Sequence, residues 1–265
     1  MVKAGKIRYA GVSNFTIEQI KKVQAIHPVA SVQPPYSMLE RGVEAELLPF
    51  CAANNIGVVV YSPMQTGMLT GKYTKELIDQ LPADDWRKEF NPHFKEPALS
   101  ANLKLVDGLR PIAKRNGKTV AQLAIAWVLR RAEEAGLVHS TSNTRGDIWY
   151  VCNCCTCCCG ILRGIAEFGL QHSIAQSAFR MRVDEAACTA CGTCLERCRF
   201  GALTVEAVAC VDAARCIGCG LCASVCPAGA LSLERRPAAP EVPEDMEAWR
   251  QARAQNRGID LEAVH

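Results

Sequence analysis

Over the first half of the chain, short apolar runs alternate with stretches in which apolar residues recur every three or four positions. Residues 7–12, 30–33 and 57–61 are short and rich in β-branched or aromatic side chains, and they predict strands. Between them, residues 17–23 and 43–50 carry helical spacing. A further helix is predicted to open at Thr119, with Gln122 three residues on as in a capping box. It places Val120, Leu123, Ala124, Trp127 and Val128 on one face. Strands alternating with amphipathic helices are the signature of βα units around a parallel sheet.

The rhythm changes beyond about residue 177, where short apolar strands flank two loops dense in cysteine. Residues 179–183 and 208–211 precede the loops; residues 200–205 and 228–233 follow them. The same order twice, with a helical turn after each third cysteine, predicts an internal repeat and a pseudo-twofold β-α-β pair.

The cysteine spacing carries the chemistry. Cys188, Cys191, Cys194 and Cys198 are separated by two, two and three residues, and Cys216, Cys219, Cys222 and Cys226 repeat this, with Pro227 after the last. Each iron of a cubane cluster takes one soft thiolate. Two-residue gaps let three thiolates of one tight loop reach one cube, and in two-cluster folds the last cysteine of each run binds the opposite cluster. The expected groups are Cys188, Cys191, Cys194 and Cys226 for cluster 1, and Cys198, Cys216, Cys219 and Cys222 for cluster 2. Zinc fits less well, because it usually takes separated pairs of ligands. A disulfide framework needs an oxidising compartment, and residues 1–6 lack the apolar core of a secretory signal, so a cytoplasmic location is expected.

Over residues 178–236 this arrangement resembles the bacterial dicluster 2[4Fe–4S] ferredoxin fold, which implies a ferredoxin-like α+β domain and electron transfer to or from a redox partner protein. Arg199 stands where that family usually has proline, and a cation there would raise the potential of its cluster.

A second resemblance lies upstream. Gly5-Lys6-Ile7-Arg8-Tyr9-Ala10-Gly11-Val12-Ser13-Asn14-Phe15, then Ser31-Val32-Gln33-Pro34-Pro35-Tyr36-Ser37, then Val60-Tyr61-Ser62-Pro63-Met64 look like aldo-keto reductases. The likeness implies an α/β fold, a partial (β/α)8 TIM-barrel fragment of about strands five to seven. It also implies that Ser13, Asn14 and Gln33 occupy positions that hydrogen-bond a nicotinamide carboxamide, that Tyr61 stacks on its ring, and that Ser62, Met64, Gly67, Leu69 and Lys72 lie beside the pyrophosphate. The family's catalytic tyrosine and its aspartate, lysine and histidine partners have no counterpart among the matching residues, and hydride transfer to a carbonyl needs that proton donor. No catalytic residue is therefore assigned, NAD(P) is not expected to be held, and the four nicotinamide positions read as inherited core and loop residues. Open sheet edges in a partial barrel favour self-association.

Between the two parts, residues 131–139 end a helix and lead into Cys152, Cys154, Cys155, Cys157, Cys158 and Cys159, six cysteines in eight residues. This run resembles a group of bacterial 4Fe–4S binding proteins with the same signature. Adjacent side chains of an extended segment point to opposite faces, so all six sulfurs do not meet on one metal. The expectation is a third metal or cluster site using three or four of them, with His139 or His172 as helpers; a redox thiol set or a cluster-delivery site is the rival. Cys51 reads as a small core residue.

Composition narrows the picture further. The 265 residues, 49% hydrophobic with a formal net charge of +3, allow two domains and give no footprint for nucleic acid. Arg130-Arg131 and Arg235-Arg236 read as solvated or helix-end charges, and no stretch is long and apolar enough to span a membrane. The organisation expected is a barrel fragment at 1–129, a helix and cysteine-rich segment at 130–177, the dicluster domain at 178–236, and a Pro-rich spacer with a C-terminal helix at 237–265. The functional expectation is an iron–sulfur electron-transfer protein that is not an independent enzyme. The alternatives are an NAD(P)-linked oxidoreductase completed by a partner, and an iron–sulfur sensor or assembly protein.

Overall fold

The computed structural model describes residues 1–260 apart from Arg8, Asp147, Trp149, Cys158 and Pro240. It divides into two units, Met1–Arg131 and Ala132–His265.

In the first unit, β1 (Gly11–Ser13), α1 (Ile17–Gln24), β2 (Ser31–Gln33), α2 (Leu47–Ala53) and β3 (Gly57–Val58) follow one another as expected of βα units. The strands pair in parallel in the order β1-β2-β3, with Val12 beside Val32 and Val32 beside Val58. α1 starts where Thr16 and Gln19 form a reciprocal capping box, which satisfies two orphan N–H groups. Its Ile20 is fully buried with Val29, Val32, Cys51 and Ile56. Cys51 is thus a core residue, and burial pushes its thiol pKa up. The short α3 (Lys75–Asp79) and α4 (Trp86–Glu89) precede α5 (Ala98–Arg115) and α6 (Val120–Glu134). α6 opens with Thr119 capping Gln122 and buries Val120, Ala124 and Val128, while the ring of Trp127 lies against Tyr36, 5.4 Å between centroids.

Three elements differ from expectation, each for a local reason. Residues 43–50 do not make one helix: a 3-10 turn, Gly42–Glu44, is followed by α2. Pro49 has no N–H and its ring clashes with the carbonyl four residues back, so the helix cannot extend upstream through Ala45. β3 stops at Val58, because Pro34 and Pro35 supply no N–H and only a bridge between Pro35 and Tyr61 remains. The first ladder begins at Gly11, after turns over residues 2–5, and Arg8 lies outside the described residues.

In the second unit, β4 (Val138–Thr141) and β5 (Val151–Cys154) form an antiparallel pair, followed by α7 (Gly160–Phe168). Next come β6 (Phe179–Val183), α8 (Thr193–Arg197), β7 (Leu203–Val205), β8 (Ala209–Val211), β9 (Leu231–Arg235) and α9 (Met246–Arg257). The first strand of the repeat pairs with the last, β6 with β9 from Phe179–Arg235 to Val183–Leu231, and β7 pairs with β8. That closure places Met181, Leu203, Ala209 and Leu231 in one core with Cys194 and Cys222. A second core joins Val138, Leu162 and Ile165 to Phe200 and Leu221, each side chain contributing about 1.5–3 kcal/mol on burial. Among the described residues no helix is long and apolar enough to cross a membrane.

Candidate metal centres

Cys188, Cys191, Cys194 and Cys226 line one hollow; Cys198, Cys216, Cys219 and Cys222 line another. Local backbone explains how. After Cys191, Gly192 adopts φ +78° and starts α8, which turns Cys194 inward. After Cys216, Gly218 adopts φ +74°, and a Cβ there would sit 2.1 Å from the carbonyl oxygen of Phe179, so only glycine lets the loop close on β6. At the end of each run, Cys198 and Cys226 take extended backbone and leave their own loop, each entering the hollow of the other repeat.

Among the described residues, no three His, Cys, Asp or Glu side chains are gathered as a single metal ion needs. The eight sulfurs instead sit around the walls of two spaces. Such spacing suits a polynuclear group in which each iron takes its own thiolate. Hydrogen bonds already reach several sulfurs: the Ala209 N–H donates to Cys188 Sγ and the Ala202 N–H to Cys198 Sγ, each at 3.3 Å, and Thr193 Oγ1 lies 3.5 Å from Cys191 Sγ.

The hollows differ electrostatically. Cys191 is exposed, and its hydrogen bond with Thr193 draws its pKa down. Burial raises Cys194 and Cys219, and pushes Cys222 up to about 12. Thiols held protonated in this way must release protons to bind metal.

Around the second hollow are two cations, Arg215 and Arg236, the second of which the sequence pattern marks as a solvated or helix-end charge. Arg236 donates from Nη2 to the carbonyl of Cys216 (3.0 Å) and from Nε to that of Phe179 (3.3 Å), and Arg215 Nε donates to the carbonyl of Phe200 (2.9 Å). Arg236 is therefore tied to the loop and is not a solvated charge. Its place directly after the second repeat's closing strand was the available signal. Arg199 behaves otherwise: its guanidinium gathers with that of Arg197 at Gly136, where a Cβ would be 3.0 Å from both. Arg197 donates there to the carbonyls of Glu133 and Glu134, the negative end of α6.

Of the six-cysteine run, Cys152, Cys154 and Cys159 lie together, while Cys155 and Cys157 are joined as a disulfide. Burial, reinforced by Cys159 and Cys152, pushes Cys154 up to about 12. Cys158 lies outside the described residues, as does the side chain of His172. His139 Nδ1 is engaged 2.6 Å from Asn153 Oδ1, across the β4–β5 pair.

In the first unit, Ser13, Asn14, Gln33 and Tyr61 collect at the carboxyl ends of the parallel strands, the end where barrel enzymes place their sites. The Ser13 hydroxyl donates to the Gln33 carbonyl (3.0 Å), and the Tyr61 hydroxyl to Asn14 Oδ1 (3.1 Å). All four are exposed. In the following loop Leu69 is fully buried, which makes it a core residue, and Met64 receives the Leu69 N–H on its carbonyl.

Residues 1–145 match the model of the aldo/keto reductase family, and residues 181–204 and 209–232 each match that of the 4Fe-4S binding domain. Among curated proteins, aldo-keto reductase YhdN of Bacillus subtilis is 42% identical over 127 residues, covering 48% of this chain and 38% of that one. Probable aldo-keto reductase 1 of Glycine max is 32% identical over 145 residues, 55% of this chain and 41% of that one. Among solved structures, the glycerol dehydrogenase of Gluconobacter oxydans is 36% identical with a TM-score of 0.43, covering 48% of this chain and 38% of that one. The chain thus spans about two fifths of the length of the curated relatives it matches.

Proposed function

Because the chain belongs to the aldo/keto reductase family through residues 1–145 and carries two 4Fe-4S binding domains behind them, we propose that its working chemistry is electron transfer. In this reading Cys188, Cys191, Cys194 and Cys226 hold one [4Fe–4S] cluster, and Cys198, Cys216, Cys219 and Cys222 hold the other, exchanging electrons with a redox partner protein. The observation that carries it is the pair of hollows, each walled by four cysteines with the fourth drawn from the opposite repeat.

The residues fit the group. Soft sulfur donors suit iron, and N–H groups aimed at sulfur lower the cost of added negative charge. When bound, each cluster supplies one-electron storage at a potential set by burial, hydrogen bonds and nearby charge. Anaerobic purification with iron and acid-labile sulfide counts, and EPR after dithionite reduction, tests the reading. About eight irons and two interacting reduced clusters are expected; iron and sulfide near zero after reconstitution would end it.

A second reading is favoured by the cluster of Ser13, Asn14, Gln33 and Tyr61 at the sheet's carboxyl end: an NAD(P)-linked oxidoreductase element completed by a partner. Its test is an NADPH titration of the intact protein, followed by nicotinamide fluorescence and cluster bleaching. Absence of both removes it.

A further inference from the structure

Cys154 and Cys159 share a wall with the second hollow. Cys154 and Cys159 pack against Val138, Leu162, Ile165, Phe200 and Leu221, and the same apolar group receives Cys198 and Cys219. Phe200 and Leu221 also line the hollow itself. Between Cys154 and Cys159 the chain turns back, with the Cys159 N–H donating to the Cys155 carbonyl at 3.2 Å. Within this turn, Cys155 and Cys157 are disulfide-bonded with Cα atoms 5.4 Å apart, and Cys157 is exposed. Cys155 and Cys157 are bonded to each other, which takes this pair out of the set of thiolates open to a metal and favours thiol chemistry at the pair over a third cluster built on it. Capacity matches as well: a disulfide takes two electrons and each cluster holds one, so two clusters fill one disulfide.

The geometry points to a dithiol redox centre: Cys155 and Cys157 accept electrons from the second hollow across the Phe200–Leu221 wall and present them as thiols to a disulfide of a partner protein. This rests on the two-cluster reading. In the step, the Cys155–Cys157 sulfur–sulfur bond breaks and each sulfur gains one electron and one proton from solvent. The electrons arrive singly, one from each reduced cluster, and both clusters return to the oxidised state. A one-electron donor protein recharges them.

The experiment is an anaerobic coulometric titration of the full, cluster-loaded chain, with iron counts and mass-spectrometric mapping of alkylated thiols on the same sample. The wild type is expected to take up about four electrons, two for the clusters and two for the disulfide, with new alkylation at Cys155 and Cys157. The Cys155→Ser/Cys157→Ser variant should take up about two at the same iron content, and Cys210→Ser, at an exposed cysteine of β8, should still take up about four. Uptake of about two electrons by wild type carrying about eight irons, with Cys155 and Cys157 still joined, overturns the proposal. About twelve irons overturns it in favour of a third cluster. Iron well below eight in the wild type sinks the two-cluster reading and the dithiol centre together, and the iron count tells that case from the others. Alkylation of the wild type keeps the test decisive if the double variant misfolds.

Discussion

The two four-cysteine hollows arise from one repeated sequence, yet their surroundings differ. Ala190, Gly192, Thr193 and Ala209 line the first, and its Cys191 is exposed. Phe200, Ile217 and Leu221 occupy the second, roofed by Val138, Leu162 and Ile165 of β4 and α7, with Arg215 and Arg236 fastened to its loops. The repeat sets where the sulfurs go. What packs outside the repeat decides how a bound group meets solvent, charge and neighbours.

The comparison breaks outright if the last cysteine of each run stays with its own loop. Cys198→Ser is expected to leave about four of eight irons, with an EPR signal identical to that left by Cys222→Ser. A signal matching Cys191→Ser would return Cys198 to the first hollow. Next in size is Leu162→Ala, which takes a side chain from the roof. It should cost about 2–5 kcal/mol in chemical denaturation and make the second site as air-sensitive as the first; equal air-sensitivity before and after would show that the roof protects nothing.

A smaller effect sharpens the contrast through pH. Metal binds thiolates; in the second hollow burial holds Cys222 at about 12 and raises Cys219, whereas in the first burial raises Cys194 but Thr193 draws Cys191 down. Uptake therefore releases protons and strengthens as pH rises, more steeply at the second hollow. Reconstitution near about pH 6.5 should fill the first hollow preferentially, and near about pH 8.5 both, as read by EPR; even filling at the lower pH would erase the distinction. The smallest effect expected is from Arg236→Gln: a lower potential at the second site with unchanged iron, because a cation that favours the reduced form is lost. A potentiometric titration that finds the first site shifted instead would misplace that cation.

The sulfur positions were legible because a two-residue gap in a tight loop leaves few ways to turn, and the repeat supplied the same answer twice. The βα units were legible from period alone, and Thr119 with Gln122 marked α6. Long side chains were not. Arg236 and Arg199 are both cations beside a cysteine loop, but one finds the carbonyls of Cys216 and Phe179 and the other the end of α6, a choice made by tertiary neighbours. Proline was the other blind spot. Pro49 cut a helix and Pro34 with Pro35 shortened a ladder, effects that a hydropathy pattern does not carry. In the cysteine run, density announced chemistry, but only the fold separated Cys152, Cys154 and Cys159 from the joined pair.

The exchange of Cys198 and Cys226 between repeats also sets an order in time. As the chain leaves the ribosome, the first three-cysteine loop emerges without its last sulfur, which is the final one of the eight to be made. The later loop, by contrast, finds Cys198 already waiting and has its full set once Cys222 appears. The hollow begun second thus has its sulfurs first, and a nascent chain halted before Cys226 carries all four sulfurs of one site and three of the other.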